Sequence, residues 1–441
     1  MKRILLFGAG KSATSLIHYL VGQTALRGWE LIVAESNLSL AQSKIGTVPG
    51  AKARAVSLQV EKEEEREGWV RDADIVISLL PPTLHFLVAA SCVKWGKDLL
   101  TASYLDDKIK ALEPAIREKG LLFLCEMGLD PGIDHMSAMQ LIHGIRKRQG
   151  RILSFQSHTG GLVAPESDDN PWHYKISWNP RNIVLAGSAG ARYKEDNVLV
   201  SRSYEDLFEN NKEIDFPEIG ALAWYPNRDS LSYIPVYGLE DAAIFIRTTL
   251  RHPAFCRAWL PIVRAGLTND QVLLDPKGWS FAKWSAPLLP LVNAENRKPL
   301  EFLGLFEDLP VPSTAKTSAD ILQYLLETRL IMQPADKDMI VMRHEIQYEL
   351  PVPGKEPGSA AVTYKREEVT SSLIVKGEDH LRTAMAKTVG LPLGIAALWI
   401  LEGKITLTGL HIPILPEIYE PVLKELAVLG VEFEETVRVL S

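Results

Sequence analysis

Arg3-Ile4-Leu5-Leu6-Phe7-Gly8-Ala9-Gly10-Lys11-Ser12-Ala13 is the stretch that decides the fold. Five mostly apolar residues read as a short buried strand. Two glycines one residue apart follow, and then an apolar helical pattern through Leu16, Ile17 and Leu20. This is the dinucleotide fingerprint with Ala13 in the third small position. Gly8 permits the tight turn, Gly10 lets a pyrophosphate approach the backbone, and Ala13 lets helix and strand pack closely. The phosphates are expected on the N–H groups of Gly10, Lys11, Ser12 and Ala13 at the helix start. A second strand over 30–34 leads to Glu35, twenty-two residues past Ala13, where an acid would bind ribose hydroxyls. Read alone, the same pattern also fits an ordinary strand–helix turn of another α/β protein.

Two look-alikes fall away. Gly10-Lys11-Ser12 resembles the end of a P-loop, but that motif needs a glycine at position 5, which is Leu5. Met1-Lys2-Arg3 opens like a signal peptide, but the apolar run before Gly8 is too short.

Moving outward, residues 1 to about 130 read as repeated strand–helix units. Helices are expected over 38–44, 85–95 and 109–119, and strands over 53–58, 74–80, 98–102 and 121–126. Glu61 to Glu67 is a charge run, expected as the wet face of a helix. The order is that of a doubly wound sheet, whose ligands bind at the carboxyl ends of the strands. Those ends are Leu80-Pro81-Pro82, Ala102-Ser103-Tyr104 and Glu126-Met127-Gly128-Leu129-Asp130.

Beyond residue 150 the texture changes. A strand is expected over 152–158, a long loop over 164–182, and helices with proline breaks over 255–328. Alternating stretches at 339–350 and 360–375 read as a hairpin joined by the loop 351–358. A long apolar helix is expected over 380–402 and another over 413–429.

The totals agree with a multidomain globular chain: 441 residues, 46% hydrophobic, 23% charged, net charge −7. Nothing favours nucleic acid or an anionic membrane, and no run of eighteen uninterrupted apolar residues predicts a membrane span. Cys92, Cys125 and Cys256 lack metal or redox spacing and read as buried thiols, the His residues do not cluster, and no metal site is expected. A cytoplasmic location is expected.

Three constellations carry the chemistry. Gly128-Leu129-Asp130-Pro131-Gly132-Ile133-Asp134-His135 follows a parallel strand, which sets Asp130 over the nicotinamide; turn-former and active-site acid both stay open for it. Asp134 reads as a helix cap, and His135 as a packing or solvated residue. Ser103-Tyr104 puts two hydroxyls at the preceding strand end, where either turn chemistry or ligand contact suits them. Arg228, in Tyr225-Pro226-Asn227-Arg228-Asp229-Ser230, and Arg251, closing Thr248-Thr249-Leu250-Arg251, suit carboxylates, although surface arginines are common.

Taken together these motifs resemble the glutamate-forming saccharopine dehydrogenases. The likeness continues through Thr159-Gly160-Gly161-Leu162-Val163-Ala164-Pro165-Glu166, Tyr174-Lys175-Ile176-Ser177-Trp178 and Met385-Ala386-Lys387-Thr388-Val389-Gly390-Leu391-Pro392, spanning nearly the whole chain. It implies an α/β fold. A Rossmann domain, 1–130, is completed by a C-terminal segment, about 380–441. An α+β substrate domain, 131–379, is inserted and itself carries a helical subdomain at about 255–330. It implies that Ser103, Tyr104, Asp130, Arg228, Thr249, Leu250 and Arg251 contact saccharopine. Gly10 to Ala13, Glu35 and, more weakly, Ser177 would contact the dinucleotide. The implied reaction oxidises the secondary amine of L-saccharopine with NAD or NADP, through an imine. Asp130 is then the first candidate base, with Tyr104 and His158 in reserve. Two departures stand out. Glu35-Ser36-Asn37 replaces the fungal arginine suited to a 2′-phosphate, which predicts NAD in preference to NADP. Thr159 stands where the fungal form has a cysteine. A carboxynorspermidine-type imine reductase and a non-catalytic NAD-binding sensor are the rival readings. The oligomeric state stays open, a homodimer included.

Overall fold

The computed structural model describes residues 1–352 and 363–440. The chain divides into two compact units, Met1–Leu141 with Leu381–Glu432, and Ile142–His380 with Phe433–Ser441.

The first unit is built on a seven-stranded sheet. In chain order its first six strands are β1 (Arg3–Phe7), β2 (Glu30–Glu35), β3 (Lys52–Ser57), β4 (Ile75–Ser78), β5 (Asp98–Thr101) and β6 (Leu122–Leu124). The spatial order is β3-β2-β1-β4-β5-β6, with Gly409–His411 added beside β6, and every pairing is parallel. Helices on both faces explain why β1 is apolar after Arg3: Ile4 to Phe7 are all 0% exposed. The order reverses between β1 and β4, and sheets of this kind bind ligands outside the carboxyl ends at such a reversal.

The helix Thr14–Arg27 follows the glycine turn and ends at Gly28, whose φ of 65° closes it in the left-handed region. The helix Ala384–Leu401 packs on it. A Cβ on Gly390 would lie 2.9 Å from Leu16 Cβ, and one on Gly394 would lie 2.7 Å from Tyr19 Cδ1. This helix is as long and apolar as a membrane span, yet 78% of it is buried within the fold, as befits a core helix.

Three expectations are corrected here. The helix expected over 109–119 is split into Asp107–Lys110 and Glu113–Glu118, because Pro114 has no N–H to continue the first. The charge run does form a helix, Glu63–Arg71, but Arg66 is only 5% exposed. Its guanidinium donates to Ser91 Oγ at 2.9 Å and to the Val60 carbonyl. The last strand, Glu434–Val439, pairs antiparallel with Thr363–Lys376 and so leaves the first unit, which ends at Glu432 rather than 441. Val437 sits opposite Val369, and Arg438 reaches Glu368 at 2.6 Å.

Among the described residues the second unit holds a nine-stranded mixed sheet. Its spine runs Lys212–Phe216, Gly220–Pro226, Ile244–Arg251, Arg151–Val163, Asp338–Val352, Thr363–Lys376, Glu434–Val439. The strand Arg151–Val163 is longer than the expected 152–158, because it pairs on both sides, parallel to Ile244–Arg251 and antiparallel to Asp338–Val352. Part of the hairpin loop expected at 351–358 lies outside the described residues. Helices including Pro253–Arg264 and Ser318–Arg329 build a core with Trp172, Tyr174, Trp259 and Leu322. All three cysteines are buried and free.

Candidate active site

The glycine turn fits a dinucleotide. Gly8 has φ 97°, and a Cβ there would lie 2.9 Å from the Leu79 carbonyl oxygen, so only glycine suits it. A Cβ on Gly10 would meet no protein atom within 4 Å, which is the space a pyrophosphate needs. Lys11–Ala13 forms a 3₁₀ turn that runs into the helix Thr14–Arg27, with Ala13 1% exposed. Glu35, at the end of β2, reaches back to this turn. Its carboxylate accepts from the Ala9 N–H at 2.8 Å, the Asn37 N–H at 3.1 Å and the Ser36 hydroxyl at 2.8 Å. Burial raises its pKa, but those bonds outweigh burial and hold the carboxyl below the usual carboxylate range. The Lys44 ammonium donates to the Gly10 carbonyl; burial pushes its pKa down to about 8, against the pull of Glu35.

At the next strand ends stand the proposed acid and its neighbours. Leu80 follows β4 and is half-buried. Tyr104 donates its hydroxyl to Asp130 Oδ1 at 3.0 Å, so the two catalytic candidates are brought together. Asp130 rides on a compact turn: the Gly128 N–H donates to the Pro131 carbonyl, and the Ile133 N–H to the Gly128 carbonyl, both at 2.9 Å. Gly132 has no room for a side chain, since a Cβ would lie 2.1 Å from Gly128 O. The following helix begins at Ile133, earlier than a cap at Asp134 would place it. Asp134 instead lies in its first turn and accepts from the Gly132 N–H at 2.6 Å.

Sequence reasoning missed the residue that ties these turns together. Glu126 is 4% exposed and has φ 58°. Its N–H donates to the Ser103 carbonyl at 3.1 Å, and its Oε1 accepts from the Leu105 N–H at 3.0 Å. Its Oε2 lies 2.8 Å from Nε2 of fully buried His135. An acid ending an apolar strand, nine residues before a histidine, was the available signal. His85 was missed too. It joins Ser78 to Ser103 at 2.8 and 2.7 Å.

In the second unit, strand alternation sorts the predicted residues by face. Leu250 is 0% exposed and packs with Leu162, Trp224 and Ile246 on one face. Arg251, on the other, lies over the rings of Tyr174 and Phe255 at 5.3 and 5.6 Å. It is 4% exposed, its Nη1 donates to its neighbour Leu250's carbonyl at 2.8 Å, and its Nε is buried without a partner. Among the described residues no carboxylate pairs with it. Arg247 and Thr249 share that face, and alternation alone would have found Arg247. Arg228 is exposed, with φ 49°, in a turn pinned by Arg192 N–H to Arg228 carbonyl at 2.9 Å and Asn227 N–H to Arg247 carbonyl at 2.8 Å. Ser177 is 5% exposed beside Ile176, which bridges Ile331. His158 is a correction. It sits on the face opposite Arg251, 5.5 Å from Trp224, and binds Thr248 Oγ1 at 2.7 Å. Burial pushes its pKa down to about 3, so it is a neutral core residue and a poor base.

Comparison with known proteins gives a consistent set. One family model, described as a saccharopine dehydrogenase NADP binding domain, matches residues 4–124. A second, described as a saccharopine dehydrogenase C-terminal domain, matches 128–431. "Saccharopine dehydrogenase [NADP(+), L-glutamate-forming]" of Schizosaccharomyces pombe is 32% identical over 99% of this chain and 99% of its own length. "Alpha-aminoadipic semialdehyde synthase" of Arabidopsis thaliana is 34% identical over 88% of this chain, but only 39% of that protein is covered. The mitochondrial synthase of Bos taurus is covered over 47% of its length, so the chain spans about half or less of such synthases. Apo saccharopine dehydrogenase (L-Glu forming) from Saccharomyces cerevisiae superposes with a TM-score of 0.84 at 31% identity, covering 99% of this chain and 100% of the other.

Proposed function

The chain belongs to the saccharopine dehydrogenase family, and we propose that it oxidises the secondary amine of L-saccharopine with a nicotinamide dinucleotide, giving L-glutamate and 2-aminoadipate 6-semialdehyde. Arg251 carries this reading. A guanidinium 4% exposed that, among the described residues, makes one hydrogen bond and meets no carboxylate is suited to receive an anion. Saccharopine is a polycarboxylate. Arg228, held in its turn, is the second carboxylate ligand.

A bound nicotinamide would supply the acceptor for the hydride that leaves the substrate carbon. The amine must be neutral for its lone pair to assist, so Asp130 accepts the proton from the substrate nitrogen. Tyr104 donates to Oδ1 of that carboxylate and so orients it. Water then adds to the substrate imine; as the carbinolamine collapses, Asp130 returns its proton to the leaving nitrogen and the hydroxyl proton passes to solvent. Such acid–base help is worth about 10²–10⁴-fold; the rest of the acceleration comes from orientation.

For the dinucleotide we propose NAD, although the family model and the yeast relatives carry NADP in their names. An ionised Glu35, fastened by three donors, repels a 2′-phosphate and accepts from a 2′-hydroxyl. Saccharopine-dependent reduction of NAD and of NADP, followed by absorbance, is the test. NAD is expected to give the higher kcat/KM, and Glu35→Ala to lower the NAD:NADP ratio about tenfold or more. A wild-type preference for NADP would remove the NAD assignment and leave the reaction standing. Turnover of a diamine with aspartate semialdehyde, and none of saccharopine, would remove the reaction.

A further inference from the structure

Behind the strand ends lies a row of three side chains that the mechanism above does not use. Ser78 closes β4, and its Oγ lies 2.8 Å from Nδ1 of His85. The other ring nitrogen, Nε2, lies 2.7 Å from Oγ of Ser103, just beyond β5. Ser78 is 0% and His85 2% exposed. Thr101 Oγ1 stands 3.4 Å from both ring nitrogens, at the far edge of hydrogen bonding, and accepts the Ser103 N–H at 3.3 Å. Burial pushes the imidazole down to about 4, against a raising pull from Asp106. The ring is therefore neutral and carries one N–H.

Which nitrogen carries it follows from the hydrogens available. Among the described residues the Ser78 hydroxyl has His85 as its only hydrogen-bond partner. With the proton on Nδ1, the Ser78 hydroxyl hydrogen would be buried with no acceptor, a state folded proteins avoid. With Nδ1 bare, Ser78 donates to it and Nε2–H donates to Ser103 Oγ. Both ring nitrogens and the buried hydroxyl are then satisfied. The Ser103 hydroxyl hydrogen is left to point onward.

We propose that His85 is a positioning residue, which with Ser78 holds Ser103 as a hydrogen-bond donor toward an oxygen of the bound ligand. The proposal rests on the reading above, in which Ser103 touches the ligand. The acceptor is an anionic or amide oxygen, from a saccharopine carboxylate or from the nicotinamide carboxamide. His85 itself touches neither.

A double-mutant cycle on the full chain tests this. His85→Leu is expected to lower kcat/KM for saccharopine about tenfold, and His85→Gln, whose amide keeps a donor, to restore most of it. In a Ser103→Ala background, His85→Leu is expected to cost nothing further. A merely structural role would add the same loss in both backgrounds. Multiplying losses, or a Gln variant no better than Leu, would overturn the proposal. If the Leu variant does not fold, Ser78→Ala takes its place, with an expected loss of about threefold that vanishes beside Ser103→Ala. A raised KM for saccharopine with unchanged NADH affinity identifies the carboxylate as acceptor, and weakened NADH binding identifies the carboxamide. If the wild type turned over no saccharopine, the reaction proposed above would fall first. The same cycle read on the binding affinities for both NADH and saccharopine would still decide: coupling to Ser103 in either supports His85, and coupling in neither overturns it.

Discussion

Arg251 shows how one residue can be costly to fold and still be kept. A guanidinium taken out of water needs a counter-charge, and here two aromatic rings and one carbonyl offset only part of the penalty. The remainder is available to a ligand. Arg251→Met should raise KM for saccharopine about 10- to 100-fold. It should leave NADH affinity unchanged and leave the melting temperature no lower, since methionine replaces an unpaired buried cation. Equal loss of saccharopine and NADH affinity, measured by steady-state kinetics and fluorescence titration, would refute the assignment. The places of Asp130, Tyr104 and Arg251 at or just past strand ends were legible in the sequence. His85 and Glu126 were not singled out, because each acts through neighbours distant in sequence: Glu126 through Ser103 and Leu105, His85 through Ser78 and Ser103. His158 misled because a strand has two faces, and sequence alone did not tell which one carried the arginines.

The elements of the first unit were readable wherever local chemistry governs them. The fingerprint strand, the helix His85–Trp95 and the apolar helix Ala384–Leu401 stand close to where periodicity and end signals put them. The reading failed where a distant segment decides. The charge run hides Arg66 because Ser91 and Val60 receive it, and the last strand goes to the second sheet because Thr363–Lys376 needs a partner. The same dependence makes one helix pair fragile. Gly390 lets Ala384–Leu401 approach Thr14–Arg27 so closely that a methyl group would press on Leu16 backbone nitrogen at 3.0 Å. Gly390→Ala should therefore destabilise the protein by about 1–3 kcal/mol, despite alanine's better helix propensity. The urea midpoint should fall; a midpoint at or above wild type would mean the helices can shift apart freely.

Across the whole molecule, buried neutral histidines contribute to the response to acid. His85 and His158 are pushed by burial to about 4 and about 3, from an ordinary value of 6.5. Between those values the unfolded chain binds more protons than the folded one, so stability rises with pH in that window. Their contribution is complete above about 6.5 and is lost as pH falls through 6.5 toward 4. The melting temperature should drop steadily from pH 7 to pH 4.5, and His158→Phe should flatten that slope. A slope unchanged by the substitution would mean that His158 is not held neutral. The path of the chain carries a further consequence, for synthesis on the ribosome. The helix Ala384–Leu401, which covers Leu16 and Tyr19, and the strand Gly409–His411, which pairs with β6, are made only after the 142–380 stretch has been translated. At about 5–20 residues per second, the nascent nucleotide-binding half waits tens of seconds with an apolar flank uncovered. That interval is when holdase chaperones would be needed most.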